Sequence, residues 1–258
     1  MKKDIKENLF LLKMEKKNKM TEYKRADGRK LNELREIQAK VGIIPNADGS
    51  AMFSFGKGDH KTMAIAAVYG PKKMHPQHSQ DPSKCTLRCD YSMVSFSTNE
   101  RMRTGPNRRS TEISKITEWA LEPLLLVDEF KNMVIDVHIF ILQADASTRC
   151  AGINAAALAL AHAGIPMKDL ASSVSTGKID KNLVLDLNSY EDCVFHEGEG
   201  STDIPFTFTG KGEITHIQLD GKIETEQLKE VVKMAREACK KIHEIQKQAL
   251  KDSLGDLK

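Results

Sequence analysis

Residues 132–163 constrain the fold most, because they form a buried strand, a short polar corner and a buried helix without interruption. The strand NMVIDVHIFILQ (132–143) is too apolar for a surface segment. The helix begins near Arg149, continues through AGINAAALALAHA and ends at Gly164, with Pro166 just beyond it as a stop signal. A buried strand that leads directly into a buried helix indicates a mixed α+β body.

Three polar residues, Ser147, Thr148 and Arg149, stand at that corner. Free backbone N–H groups at the helix start, two hydroxyls and an arginine together make a small anion pocket. An arginine here also opposes the helix dipole, which favours negative charge at this end. The alternative is an ordinary Ser/Thr helix cap beside a solvated arginine, and this corner alone does not separate the two.

A second corner, RMRTGPNRRS (101–110), has the same character. Four arginines surround a Gly-Pro turn: Arg101, Arg103, Arg108 and Arg109. Asn107 or Ser110 is placed to cap the helix that follows, which puts Arg108 and Arg109 in its first turn. Such a cluster suits several phosphates, although arginine-rich loops are often only solubilising. Two such helix starts in one chain favour phosphate binding.

Composition excludes several classes of protein. At 258 residues with 40% hydrophobic content the chain can bury a full core, while 5% aromatic content argues against broad base-stacking surfaces. No apolar run reaches the roughly 18–20 residues that span a bilayer, so no membrane association is expected. The five cysteines are scattered and form no CxxC pair, which predicts reduced thiols, no zinc site and a cytoplasmic location.

The pattern along the chain predicts strands followed by helix in each half. Three short strands are expected within residues 35–70, then a polar loop at 71–84, another strand, and a first helix that Pro123 should break near Glu122. Further strands are predicted at 171–178, 183–187, 204–209 and 213–219, and a long helix from about Glu224. We predict a domain over 22–250, with halves of about 22–145 and 146–250. A basic, disordered extension (1–21) precedes it and a short tail (251–258) follows it.

An acidic segment, VLDLNSYEDCVF, follows in the second half. Asp186 lies at a strand end, Asp192 in the loop after it, and Asp203 just before a further strand. Carboxylates opposite arginines do acid–base work or hold a divalent metal beside phosphates. Taken alone, the segment is more typical of a routine acidic surface, and only its combination with the two arginine-bearing corners favours a catalytic role.

Eight segments resemble the RNase PH family, in order and over roughly residues 22–250. They are RADGR (25–29), AAVYGPKKMHP (66–76), YSMVSFS (91–97), RRSTEISK (108–115), IDVHIFILQADASTR (135–149), AGIPMKDL (163–170), VLDLNSYED (184–192) and DIP (203–205). The forms RRxxEISK and LDLNxxED resemble the catalytic RNase PH-type subunit of the archaeal exosome. The resemblance implies an α+β, ribosomal-protein-S5-like fold of duplicated β-rich units with helices packed on one side.

The resemblance also implies a function. The expected reaction is phosphorolysis of single-stranded RNA from its 3′ end, with inorganic phosphate as co-substrate and nucleoside diphosphates as products. The expected assembly is a hexameric ring, a trimer of heterodimers with an inactive RNase PH-type paralogue, covered by RNA-binding cap subunits. Two alternatives stay open: a homohexameric RNase PH that trims tRNA 3′ ends, and a non-catalytic ring subunit that only binds RNA.

Residue roles follow from the same resemblance. It implies that Arg108 and Arg109 hold RNA and the attacking phosphate, and that Ser147, Thr148 and Arg149 bind phosphate. It implies that Asp192 and Asp203 are catalytic and hold Mg²⁺ or another divalent cation, with Asp186 in a supporting, structural role. The loop at 71–84 is expected to face the ring pore, where Lys72, Lys73 and His75 contact RNA.

Three positions depart from the family pattern. Ser147 stands where the family has Gly, so loss of a left-handed backbone conformation would weaken phosphate binding. Asp192 and Asp203 are eleven residues apart against about six in the family, and the insert HEGEG either re-aims Asp203 or bulges outward. Gln77 replaces an Arg, so one contact with the RNA backbone is expected to be missing.

Overall fold

A computed structural model describes residues 23–194 and 200–255 of the chain. The predicted basic extension (1–21) lies outside the described residues. The chain divides between Lys30 and Leu31 into two units. In the first unit the described residues form a turn, in which the Gly28 N–H donates to the Arg25 carbonyl at 3.1 Å. All strands and helices below belong to the second unit.

A five-stranded sheet forms the first half of this unit. Its strands are β1 (Ile37–Val41), β2 (Gly49–Phe55), β3 (Thr62–Lys73), β4 (Thr86–Met93) and β5 (Met133–Gln143). The order is β1-β2-β3-β5-β4, and every neighbouring pair is antiparallel except β4 and β5. The three predicted early strands are confirmed. β3, however, extends through Lys73 into the segment predicted to be a loop.

Helix α1 (Arg108–Leu121) connects the parallel strands β4 and β5. It ends just before a 3₁₀ turn, Glu122–Leu124, that contains Pro123. The predicted break is therefore confirmed, because proline has no N–H to continue the helical hydrogen bonds. Cys85, directly before β4, and Cys89, within it, are both buried.

The second half is a four-stranded antiparallel sheet with a long helix. Its strands are β6 (Ala171–Ile179), β7 (Asn182–Leu185), β8 (Ser201–Thr209) and β9 (Ile214–Ile217), in the order β7-β6-β8-β9. They match the four predicted strands. Helix α3 (Thr225–Gly255) packs against β6 and β1, and it continues five residues past the predicted domain end at 250. The predicted α+β architecture of two β-rich halves is confirmed.

Helix α2 (Thr148–His162) is the central element of the core. Twelve of its 15 residues are buried, and it packs against β2 and β3 of the first sheet and β6 of the second. Its buried Asn154 exchanges two hydrogen bonds of 2.8 Å with the backbone of Ser173 on β6. A helix that is apolar on all sides must be covered on all sides, so the position of its first turn is fixed by both sheets. In the described ranges, no helix is both long and apolar enough to cross a membrane.

Candidate active site

Two helix starts lie at one end of the first sheet because β4 and β5 run parallel. The two strands stay in register from Thr86 opposite Val134 to Met93 opposite Ile141. The segments that leave them, residues 94–107 and 144–147, therefore emerge at the same sheet end. Helices α1 and α2 begin there, and the two corners predicted from sequence become neighbours.

The start of α1 is fixed by a capping box. Asn107 accepts a hydrogen bond from the Ser110 N–H at 2.8 Å, and the Ser110 hydroxyl accepts one from the Asn107 N–H at 2.9 Å. Arg108 and Arg109 occupy the first turn, and both are exposed. The Arg109 Nη2 group donates to the Thr148 Oγ1 at 3.4 Å. This contact joins the arginine loop (residues 101–109) to the first residue of α2.

The corner turn (residues 145–147) has an unusual backbone. Ala146 and Ser147 both adopt left-handed conformations, with φ of 55° and 53°. Each left-handed conformation costs about 1 kcal/mol or more for a residue with a Cβ atom. Surrounding contacts must therefore hold the turn in this conformation. The loss of left-handed conformation considered from the sequence therefore does not occur.

The Ser147 side chain also corrects the sequence interpretation. It makes no capping hydrogen bond to α2, so the ordinary Ser-cap alternative is wrong for this residue. Its hydroxyl instead contacts the segment after β7, donating to the Leu187 carbonyl at 3.2 Å and lying 3.4 Å from the Asp186 Oδ1. The Ala151 N–H is bonded to the Ser147 carbonyl at 3.0 Å. This is the first hydrogen bond of the helix. The N–H groups of residues 148–150 therefore have no acceptor within the helix and are available to an anion.

Arg149 contacts two side chains, those of Gln218 and Glu112, to which the sequence assigned no role. Its guanidinium donates to the side-chain oxygen of Gln218, directly after β9, and lies 3.8 Å from the Glu112 carboxylate on α1. The Gln218 amide in turn donates to Glu112 at 3.2 Å. Glu112 belongs to the RRSTEISK segment, which is a usable signal, whereas nothing local in the sequence marks Gln218.

Arg109 and Arg149 both act electrostatically on one buried hydroxyl, that of Tyr91. Tyr91, at the end of β4, is only 2% exposed, and burial raises the pKa of its hydroxyl. The positive charges of Arg109 and Arg149 both act to lower that pKa. The direct contact between the two corners is the hydrogen bond from Arg109 to Thr148, the residue before Arg149. The corners predicted separately thus form a single positively charged site.

The charge of Arg149 also acts on Asp203, which together with Asp192 forms the acid pair. Asp192 belongs to a π-helical turn, Tyr190–Val194, and its carbonyl accepts a hydrogen bond from the Ser201 hydroxyl at 3.1 Å. Asp203 lies on β8, where the Ser175 hydroxyl donates to its carboxylate. Burial raises the pKa of Asp203 to about 6, the Ser175 hydrogen bond opposes that rise, and the negative charge of Asp192 adds to it. Despite the eleven-residue spacing, the charge of Asp192 acts on Asp203. Residues 195–199 of the insert lie outside the described residues.

We expect the raised pKa of Asp203 to appear as a stability effect. Its folded-state pKa lies above the ordinary value of 3.8, so its contribution to stability is complete below about pH 4 and is lost as pH rises through about 6. Asp203→Asn should therefore stabilise the protein by about 3 kcal/mol near neutral pH, because a pKa raised by about two units corresponds to about 1.4 kcal/mol per unit. The gain should be smaller near pH 4. Urea unfolding at both pH values, without divalent cations, measures this. Asp252→Asn on the exposed side of α3 is the matched control, and a neutral-pH loss of stability in Asp203→Asn would contradict the expectation.

Asp186 is completely buried and pairs with Arg35, which the sequence analysis missed. The Arg35 Nη2 and Nε groups donate to the two carboxylate oxygens at 2.7 and 3.0 Å, and the Arg35 N–H donates at 2.8 Å. A third group, Nη1, donates to the Asp145 carbonyl at 2.6 Å. The ion pair therefore lies directly behind the corner turn.

The residues expected to contact RNA divide into two groups. Arg108 and Arg109 belong to the site, whereas Lys72, Lys73 and His75 lie at the opposite end of the sheet. The antiparallel register pairs Lys73 with Met133 and Met63 with Gln143, a separation of ten residues or about 33 Å along the strand. Lys72 pairs with Asp136 at 2.7 Å, and Gln77 begins an exposed 3₁₀ turn nearby.

The fold is that of RNase PH-type subunits. It matches the structure of rice Rrp46 with a TM-score of 0.74 and 24% identity, covering 88% of this chain and 100% of that one. It matches a chain of the Archaeoglobus fulgidus exosome with RNA bound to the active site with a TM-score of 0.73 and 19% identity, covering 93% and 97%. At these identities the likeness establishes the fold alone.

The sequence comparisons identify the family. The RNase PH descriptions "3′ exoribonuclease family, domain 1" and "domain 2" match residues 33–166 and 169–238. "Exosome complex component Rrp41" of Thermococcus kodakarensis is 49% identical over 89% of both chains. The proteins of the same name from Pyrococcus furiosus and Methanopyrus kandleri are 48% and 43% identical, over 89% and 90% of this chain and 88% and 93% of theirs. The chain belongs to the RNase PH family of 3′ exoribonucleases, and the predicted family and enzyme class are confirmed.

Proposed function

We propose that this chain is the catalytic subunit of an exosome-type ring, which degrades RNA from the 3′ end by phosphorolysis. The contact between Arg109 and Thr148 carries the proposal, because it merges two arginine-bearing helix starts into one anion site beside two carboxylates. The names of the relatives at 43–49% identity support the exosome assignment over a tRNA-trimming homohexamer.

The proposed reaction brings two anions together. Inorganic phosphate binds the N–H groups at the start of α2 with Arg149, while Arg108 and Arg109 hold phosphates of the RNA 3′ end. An oxygen of the free phosphate attacks the last phosphodiester phosphorus, and the bond from that phosphorus to the ribose 3′ oxygen breaks. The products are a nucleoside diphosphate and RNA shortened by one nucleotide. Fixed cations offset the repulsion between the reactants and stabilise charge on the phosphoryl oxygens.

In this scheme the acid pair supplies the proton that the departing ribose 3′ oxygen takes up. The oxygen takes this proton from the pair through Asp192. Burial raises the pKa of Asp203 to about 6, so the two carboxyl groups together retain a proton more readily than an exposed carboxylate does. Thr148 and Ser147 contribute through the turn and its hydroxyls. Asp186 has a supporting role behind the turn.

A divalent cation such as Mg²⁺ fits the acid pair. Asp203 is a buried carboxylate that feels the negative charges of Asp192 and Asp220, a repulsion that a cation relieves. Within the described part of the chain, no group of three or more His, Cys, Asp or Glu residues is arranged to hold a metal, so water and phosphate would complete its ligands. When bound, the ion would supply positive charge to phosphate oxygens.

The proposed setting is a cytoplasmic hexameric ring with an RNase PH-type paralogue and RNA-binding cap subunits. Among the residues whose side chains the structure describes, four cysteines are free and buried, which supports a reducing compartment: Cys85, Cys89, Cys150 and Cys239. Lys72, Lys73 and His75 are proposed to contact RNA that approaches the site from a distance, since they lie about 33 Å from it along the strand.

Phosphate dependence tests the proposed reaction. Labelled single-stranded RNA, incubated with the chain and its paralogue, should shorten only when millimolar phosphate is present, because phosphate is the nucleophile. Thin-layer chromatography should identify nucleoside diphosphates as the products. Equal rates in phosphate-free buffer with release of monophosphates would show hydrolysis instead and overturn the proposal.

A further inference from the structure

The corner turn has two consecutive left-handed residues, neither of them glycine. Ala146 and Ser147 have φ values of 55° and 53°. Residues with a Cβ atom avoid this region unless neighbouring contacts hold them in it. The turn immediately precedes the N–H groups of α2, so a change in its backbone would re-aim those groups.

Hydrogen bonds from outside the turn hold every one of its residues. The buried Thr62 hydroxyl accepts from the Asp145 N–H at 2.8 Å and donates to the Ala146 carbonyl at 2.7 Å. The Asp145 carboxylate accepts from the Ser189 N–H at 3.0 Å. Ser147 donates to the Leu187 carbonyl. The turn is thus bonded to β3 on one side and to the segment after β7 on the other.

One ion pair joins these attachments. Arg35 is 6% exposed and Asp186 is fully buried. Arg35 donates to both Asp186 carboxylate oxygens and also to the Asp145 carbonyl at 2.6 Å, while Asp186 lies 3.4 Å from the Ser147 hydroxyl. The planar guanidinium therefore spans the space between Asp186 and the corner turn, a geometry that the single ammonium of a lysine cannot reproduce.

We infer that Arg35 and Asp186 are positioning residues for phosphate: their buried ion pair holds the corner turn left-handed and so sets the affinity of the site for inorganic phosphate. The inference rests on the proposed function, since it takes the start of α2 as the phosphate site. Neither residue needs to touch phosphate for this role. The affected quantity is the KM for phosphate, because RNA is held by other residues.

Arg35→Lys tests the inference in the complex with the paralogue. The KM for phosphate should rise about tenfold, because the N–H groups of α2 are displaced from the anion. The kcat at saturating phosphate and the KM for RNA should change by less than about twofold. Arg88→Lys is the matched control: Arg88 forms a similar two-bond pair with Asp136, at 2.6 and 2.9 Å, at the far end of β5. The phosphate KM of Arg88→Lys should equal that of the wild type.

Substitutions at Ser147 keep the test decisive if Arg35→Lys does not fold. Ser147→Ala keeps the Cβ atom in the left-handed conformation but loses the hydroxyl attachment, whereas Ser147→Gly removes the strain. The phosphate KM should be higher in Ser147→Ala than in Ser147→Gly. In the double variant with Ser147→Gly, Arg35→Lys should raise the phosphate KM by less than it does alone. Equal values in the two Ser147 variants, or a folded Arg35→Lys with unchanged phosphate KM, would overturn the inference.

The outcomes also separate this inference from the proposed function. If wild-type activity does not depend on phosphate, the proposed function fails, and the positioning role for phosphate fails with it. If the wild type depends on phosphate while the variants keep its phosphate KM, only the positioning role of Arg35 and Asp186 fails.

Discussion

Replacing Asp192 with asparagine should reduce RNA degradation about 10³-fold while RNA binding changes little, because the amide cannot supply a proton to the departing ribose oxygen. Asparagine keeps the size of the side chain, so the π-helical turn at Tyr190–Val194 should persist. Single-turnover decay of labelled RNA measures the rate, and fluorescence anisotropy measures binding.

Asp128→Asn, at an exposed position in a 3₁₀ turn, is the matched control and should degrade RNA like the wild type. Activity of Asp192→Asn close to that of the wild type would remove Asp192 from the mechanism. A large loss of RNA affinity would instead assign it a binding role.

Arg149→Lys should lower kcat/KM for phosphate by about 10²–10³-fold, even though the charge is preserved. A lysine ammonium cannot reproduce the hydrogen bond to Gln218 and the ion pair with Glu112 that the guanidinium makes. It also cannot present paired N–H groups to an anion. Rates over a range of phosphate concentrations measure the effect.

Arg236→Lys, an exposed arginine over the Phe208 ring, is the control for the substitution itself and should leave the phosphate dependence unchanged. A phosphate KM within about twofold of the wild-type value in Arg149→Lys would exclude Arg149 as a phosphate ligand.

The sequence predicted those parts of the fold and site that depend on local signals. The apolar run of β5, the stop at Gly164, the cap at Asn107 and the break at Pro123 each follow from a few adjacent residues. The two helix starts were recognised for the same reason. Their meeting at one sheet end was not derivable in this way, because it depends on β4 and β5 being parallel neighbours.

The supporting residues of the site could not be found from sequence patterns. Arg35 is 110 residues from Asp145 and 151 from Asp186, and a single arginine in ELREI carries no signal of burial. Gln218 is 69 residues from Arg149. The conformation of Ser147 was likewise inaccessible, because what permits it is the set of distant contacts that hold the turn.

The packing of α2 against both sheets limits how this chain can evolve by recombination. The helix lies within the segment matched as domain 1, yet it packs on β6, which lies within the segment matched as domain 2. The arginines come from the first segment and the acid pair from the second. A recombination event near residue 167 would join segments of different parentage at a mismatched internal surface, so the two halves are expected to be inherited as one piece.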